Sequence, residues 1–222
     1  MKEFKLIFWL MFITSACSRD NDSFIGNDCI IGQGIITSEA RSFVDFHSIN
    51  NLIFADINLS QGPQEEVIFE AQQNILDIVK TQIADGELRI FHEQCIDIID
   101  PVIVHITIPD IKSLALTGVG NVTTQTDFEL TDLTVRLVGV GDFNLRGTAE
   151  TLDIRITGVG DVKAFDLNAN ICSISISGNG DVEAYVNDEL DVSITGLGNV
   201  FYKGNPTITS TISGAGEIVN SN

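Results

Sequence analysis

A seven-residue phrase returns six times in the second half of the chain and limits what that half can fold into. It reads LTGVGNV at 116–122, LVGVGDF at 137–143, ITGVGDV at 156–162, ISGNGDV at 176–182, ITGLGNV at 194–200 and ISGAGEI at 212–218. The leading glycines, Gly118, Gly139, Gly158, Gly178, Gly196 and Gly214, lie 21, 19, 20, 18 and 18 residues apart. A fixed period of this size marks stacked repeats, because one such unit cannot bury its apolar face alone and stacking on neighbours does so.

The residues before each leading glycine alternate. Two places back stand Leu116, Leu137, Ile156, Ile176, Ile194 and Ile212; four places back stand Leu114, Val135, Ile154, Ile174, Val192 and Ser210. Between them lie Thr117, Val138, Thr157, Ser177, Thr195 and Ser213, then Ala115, Arg136, Arg155, Ser175, Ser193 and Thr211. A period of two predicts strands with one face in and one face out. Cys172, six before Gly178, shares its place with Leu133, Leu152, Leu190 and Ile208 and reads as an inert core thiol. Paired glycines suit tight corners that press on one another from coil to coil, where a Cβ has no room. The fold expected is therefore all-β: a parallel β-helix or solenoid over 111–222, about 20 residues per coil, right-handed by the general rule for parallel crossovers.

Residues 29–110 read as β structure of lower regularity. FVDFHSI, LIFADINLS, EVIFEA, ELRIF and PVIVHITIP are strand-like, and Asp85-Gly86 is a hairpin turn. This part is expected to cap the N-terminal end of the solenoid and cover its open strand edges, making 29–222 a single domain.

The first residues read as an export signal. MKEFK is a short basic start, Leu6–Ile13 an apolar run too short to span a bilayer, and Thr14-Ser15-Ala16 a small-residue stretch before Cys17. This is similar to a lipoprotein signal over 1–16 with cleavage and lipidation at Cys17, although Thr14 stands where such signals usually carry Leu. Residues 17–28 then form a polar tether. Export implies an oxidising setting, in which Cys29 and Cys95, both beside apolar β-type runs, are the leading disulfide candidates; sequence alone does not fix connectivity.

Several stretches together resemble one family. They are a Cys followed by Gly-x-Gly at Cys29–Gly34, LSQGPQEEVIFEAQQNIL at 59–76, DGELRIF at 85–91, VIVHITIPDIKSLALTGVGNV at 102–122, and the reiterated Gly-x-Gly-Asp/Asn. They resemble the putative auto-transporter adhesin, head GIN domain family of exported Bacteroidota envelope proteins, over about residues 29–219. The resemblance implies a pectin-lyase-like β-helix, a place in the cell envelope at the outer membrane and an adhesive role. It carries no catalytic residues.

A column of candidate site residues follows from the repeat. Asn121, Asp142, Asp161, Asp181, Asn199 and Glu217 each lie three after a leading glycine, and stacking sets them about 4.8 Å apart. Asp and Asn brace corners by accepting backbone N–H bonds. The weaker alternative is a Ca²⁺ site at Asp142, Asp161 and Asp181, where a cation would relieve carboxylate repulsion. No cofactor is expected.

Charge and composition narrow the function. A net charge of −19 argues against nucleic acid and anionic surfaces as partners. His47, His92 and His105 all precede the repeat, and none has the spacing of a metal set. Beyond residue 114 only Arg136, Arg146, Arg155, Lys163 and Lys203 could hold an acidic polysaccharide. The expectation is a non-enzymatic, lipid-anchored envelope scaffold for adhesion or interaction, with a protein or glycan surface partner. A carbohydrate-active enzyme on the same fold and a purely structural envelope protein are the alternatives.

Overall fold

The alternating apolar residues become parallel strands in the computed structural model, which describes residues 29–222. The signal segment 1–16, the lipidation candidate Cys17 and the tether to residue 28 lie outside the described residues. The elements in the first half are β1 (Ile30–Ile31), β2 (Ile36–Arg41), β3 (Ser48–Asn51), β4 (Ala55–Gln61), β5 (Glu66–Gln72), α1 (Gln73–Leu76), β6 (Val79–Ala84), β7 (Glu87–His92), β8 (Ile96–Asp97) and β9 (Val102–Ile108). The repeat region adds β10 (Ser113–Leu116), β11 (Val122–Thr124), β12 (Phe128–Leu137), β13 (Phe143–Ile156), β14 (Val162–Ile176), β15 (Val182–Ile194), β16 (Val200–Lys203), β17 (Thr207–Ile212) and β18 (Ile218–Asn220).

The repeats stack as a β-solenoid of about 5 turns, roughly 20 residues apart. One wall runs β9, β4, β11, β13, β14, β15, β16, β18, and the other runs β7, β3, β10, β12, β13, β14, β15, β17, every pair parallel. Register follows the repeat: Leu116, Leu137, Ile156, Ile176, Ile194 and Ile212 lie side by side, as do Leu133, Leu152, Cys172, Leu190 and Ile208. These residues fill the interior up to Ile194, while the hydroxyl residues between them face out. Burial of this apolar column, at about 25 cal/mol per Å² removed from water, drives the stacking.

The solenoid reaches further toward the N-terminus than the repeat does. Two coils come from the segment expected to be cap: β3 with β4, and β7 with β9. Ile49 and Asn51 align with Leu114 and Leu116, and Ile57 aligns with Val122. The chain order is not the stacking order, because the coil of 48–61 lies between the coil of 87–108 and that of 113–124. Among the described residues, antiparallel pairing is confined to β2 with β5, β5 with β9 and β6 with β7, so β2, β5 and β6, laid on the first coil, form the cap with α1. Asp85 and Gly86 make the expected two-residue hairpin, both at positive φ (52° and 72°), joining Ala84 to Glu87.

Two side-chain devices hold the cap end. Arg41 donates from Nη1 to the Val79 carbonyl and from Nη2 to the Leu76 carbonyl, each at 2.9 Å, so it satisfies carbonyls around the end of α1. Its guanidinium also pairs with Glu39 at 2.7 Å and lies 4.5 Å from the centre of the Phe69 ring. A disulfide joins Cys29 to Cys95, and beside it β1 pairs parallel with β8.

Candidate functional site

Each Gly-x-Gly corner sits directly on the corner of the coil before it. A Cβ on Gly139 would collide with the carbonyl oxygen of Gly118, and one on Gly141 with that of Gly120. Gly141 also holds φ 141°, so both space and conformation demand glycine there. The middle residues form single bridges from coil to coil: Phe54, Val119, Val140, Val159, Asn179, Leu197 and Ala215 in order.

The predicted corner column is one continuous hydrogen-bonded ladder. The main-chain N–H of Asp142 donates to Asn121 Oδ1 (3.1 Å), that of Asp161 to Asp142 Oδ1 (2.9 Å) and that of Asp181 to Asp161 Oδ1 (2.9 Å). Asn199 N–H donates to Asp181 Oδ1 (2.6 Å), and Glu217 N–H to Asn199 Oδ1 (3.2 Å). In every step an oxygen of one coil accepts the N–H of the equivalent residue in the next. Asn121, Asp142, Asp161, Asp181 and Asn199 all accept in this way, whether carboxylate or amide. Lys163 Nζ reaches the second oxygen of Asp142 at 3.3 Å.

Two members of this arrangement have no signal in the repeat. Asp56 is the foot of the ladder and accepts the Asn121 N–H at 2.7 Å, yet no Gly-x-Gly precedes it. Asn51 is fully buried among the Leu and Ile of its column. Its Nδ2 donates to the Ala55 carbonyl (2.8 Å) and its Oδ1 accepts the Ile53 N–H (3.2 Å), so the side chain closes a corner that lacks paired glycines. A buried amide is tolerated because both ends are bonded.

The outer side of the corner carries a strip of small and apolar side chains. Thr117, Val138, Thr157, Ser177, Thr195 and Ser213 are exposed in one column. Val119, Val140, Val159 and Leu197 are about half exposed in the next. The x of Gly-x-Gly is the sequence signal for this apolar row, which Asn179 interrupts.

The remaining candidates lie apart. His105 Nε2 is 3.6 Å from Glu70 on the cap, His47 is exposed beside Gly86, and His92 ends β7. Among the described residues no group of three His, Cys, Asp or Glu is placed to hold a metal. Cys172 is buried, and burial pushes its thiol up to about 12. Among the described residues no helix is long and apolar enough to cross a membrane.

Residues 45–206 match the family model described as putative auto-transporter adhesin, head GIN domain. A crystal structure of a putative adhesin from Bacteroides fragilis is similar with a TM-score of 0.71 and 23% identity, over 86% of this chain and 99% of that one. A putative adhesin from Parabacteroides merdae gives 0.55 and 21%, over 87% and 100%. A putative lipid binding protein from Parabacteroides distasonis gives 0.55 and 19%, over 86% and 100%. At these identities the likeness is one of fold. No curated protein matches the chain.

Proposed function

The chain belongs to the putative auto-transporter adhesin, head GIN domain family, and from that premise we propose that it is a non-enzymatic, lipid-anchored scaffold of the cell envelope that adheres through its repetitive outer surface. The observation that carries this reading is the strip along the corner, where a column of hydroxyl residues broken only by Val138 runs beside half-exposed apolar side chains in four of the six repeats, Asn179 and Ala215 taking the other two places. Rigid repetition lets many weak contacts act together on a protein or glycan surface, so avidity exceeds any single contact. Val119, Val140, Val159 and Leu197, half-exposed in one row on either side of Asn179, are also what an interaction surface offers and a solvated sheet exterior avoids. The carboxylates that an enzyme on this fold would recruit, Asp142, Asp161 and Asp181, each commit an oxygen to a neighbouring main-chain N–H. Anchoring rests on Cys17 after its small-residue stretch and would place the protein at the outer membrane.

The test combines a glycan array with capture from the native envelope, using the parent protein and a variant with Val140→Asp, Val159→Asp and Leu197→Asp. These side chains point outward, so the variant should melt close to the parent while losing at least about ten-fold of its captured partner, equivalent to about 1.4 kcal/mol. Undiminished capture would remove the strip from the mechanism. Cys17→Ala should release the protein from the membrane fraction or block its processing; unchanged fractionation and unchanged processed mass would refute the anchor.

A further inference from the structure

Among the described residues, nothing covers the end of the solenoid far from the cap. β17 pairs only with β15, so the N–H and C=O groups along its other edge have no strand partner in the described chain. All six of its residues are exposed, including Ile208 and Ile212, whose neighbours Leu190 and Ile194 are buried. Natural edge strands are normally protected by charge, proline, a bulge or a cover. The cap end follows that rule, with antiparallel strands bearing Glu39, Arg41 and Lys80. β17 does not: TITSTI is uncharged, and from 204 to 222 a chain of net charge −19 has one charged residue, Glu217.

The sequence of this edge is also the same in both directions. Residues 208–212 read Ile-Thr-Ser-Thr-Ile. Two copies of β17 laid antiparallel about a two-fold axis at Ser210 would set Ile208 against the partner's Ile212 on the inward face and Thr209 against the partner's Thr211 on the outward face. Facing residues of an antiparallel pair point to the same side of the sheet, so both isoleucines of each copy would gain an apolar neighbour in continuation of the core. A charged edge would repel its own copy about such an axis, whereas this one carries no charge to oppose itself.

We propose that a second copy of this chain docks on β17, antiparallel and two-fold symmetric about Ser210, joining the walls of two solenoids end to end. The proposal does not depend on what the outer strip binds.

Cross-linking of the full chain tests the register. Ser210→Cys brings two thiols together on the axis, within disulfide reach for facing residues of an antiparallel pair. Under mild oxidation it should give a band at twice the monomer mass, at least about ten-fold above the parent chain and removed by reductant. In Ile208→Cys the two thiols would be about 14 Å apart along the strand. That variant alone should give no such band, and mixing it with Ile212→Cys should restore it. Ser210→Asp should shift the sedimenting species to monomer without lowering the melt of the monomer. The proposal is overturned by a parent chain that stays monomeric at every concentration, by Ile208→Cys cross-linking to itself as readily as Ser210→Cys, or by a cross-linked band holding a different protein.

Discussion

At the scale of single residues, the same corner is closed by different chemistry in different coils. Asp142, Asp161 and Asp181 and the amides Asn121 and Asn199 all offer one oxygen to the next coil's N–H, so the ladder requires an acceptor and not a charge. Asp161→Asn should therefore cost less than about 0.5 kcal/mol, while Asp161→Ala leaves the Asp181 N–H without its partner and should cost about 1–2 kcal/mol. Denaturant titration measures both. The same logic predicts a melting temperature indifferent to millimolar Ca²⁺; a rise that disappears when all three aspartates become asparagine would make the column a cation site. Cys172 supplies a pH test. The folded thiol holds its proton to about 12 against an ordinary value of 9.0, so its stabilising contribution is whole below about 9 and is lost as pH climbs toward 12. Thiol reagents at pH 8 should leave it unmodified until the protein is unfolded. The column was legible because its members stand at one offset from a repeated motif. Asp56 and Asn51 were not, since their coil has no glycine pair and an asparagine in SINN gives no local sign of being buried.

At the scale of elements, a strand of this solenoid is defined by what lies inside it. Ile176 is buried between Ile156 and Ile194, and the neighbouring Ser177 is exposed. Ile176→Asp should destabilise by about 3–5 kcal/mol as an unpaired buried charge, and Ser177→Asp by about 0.5 kcal/mol or less. Thermal melts showing the opposite order would mean that the faces are assigned the wrong way round. Alternation made β10 to β17 readable in advance, because period and corner agree in every coil. The strands of the first half were readable as strands but not as coils. Nothing within 48–61 indicates that it stacks between two later segments, since that arrangement is set by contacts far apart in sequence. The short helix α1 was also unforeseen: four residues are too few for a periodic signal, and its place depends on burying Ile75 and Leu76 and on Arg41 binding the carbonyls of Leu76 and Val79.

At the scale of the whole molecule, the two ends of the stack differ in kind. One end is closed by antiparallel strands and a covalent bridge, and the other, among the described residues, presents a bare strand edge. Closing a loop of 66 residues restricts the unfolded chain enough to stabilise the fold by about 4 kcal/mol. Cys95→Ala should lower the thermal midpoint accordingly, and an unchanged midpoint would show that the cap stands without its bridge. The bridge also decides how the protein bears a pull. Tension applied at Cys29 crosses directly to Cys95, so the intervening segment, including the coil formed by β3 and β4, is not drawn out in line with the load. With about 3.6 Å of contour per residue, those 66 residues represent about 240 Å of hidden length. Stretched between Cys29 and Asn222, the oxidised protein should extend about 240 Å less than the reduced one, which makes the bridge a built-in limit on how far the chain can be drawn out.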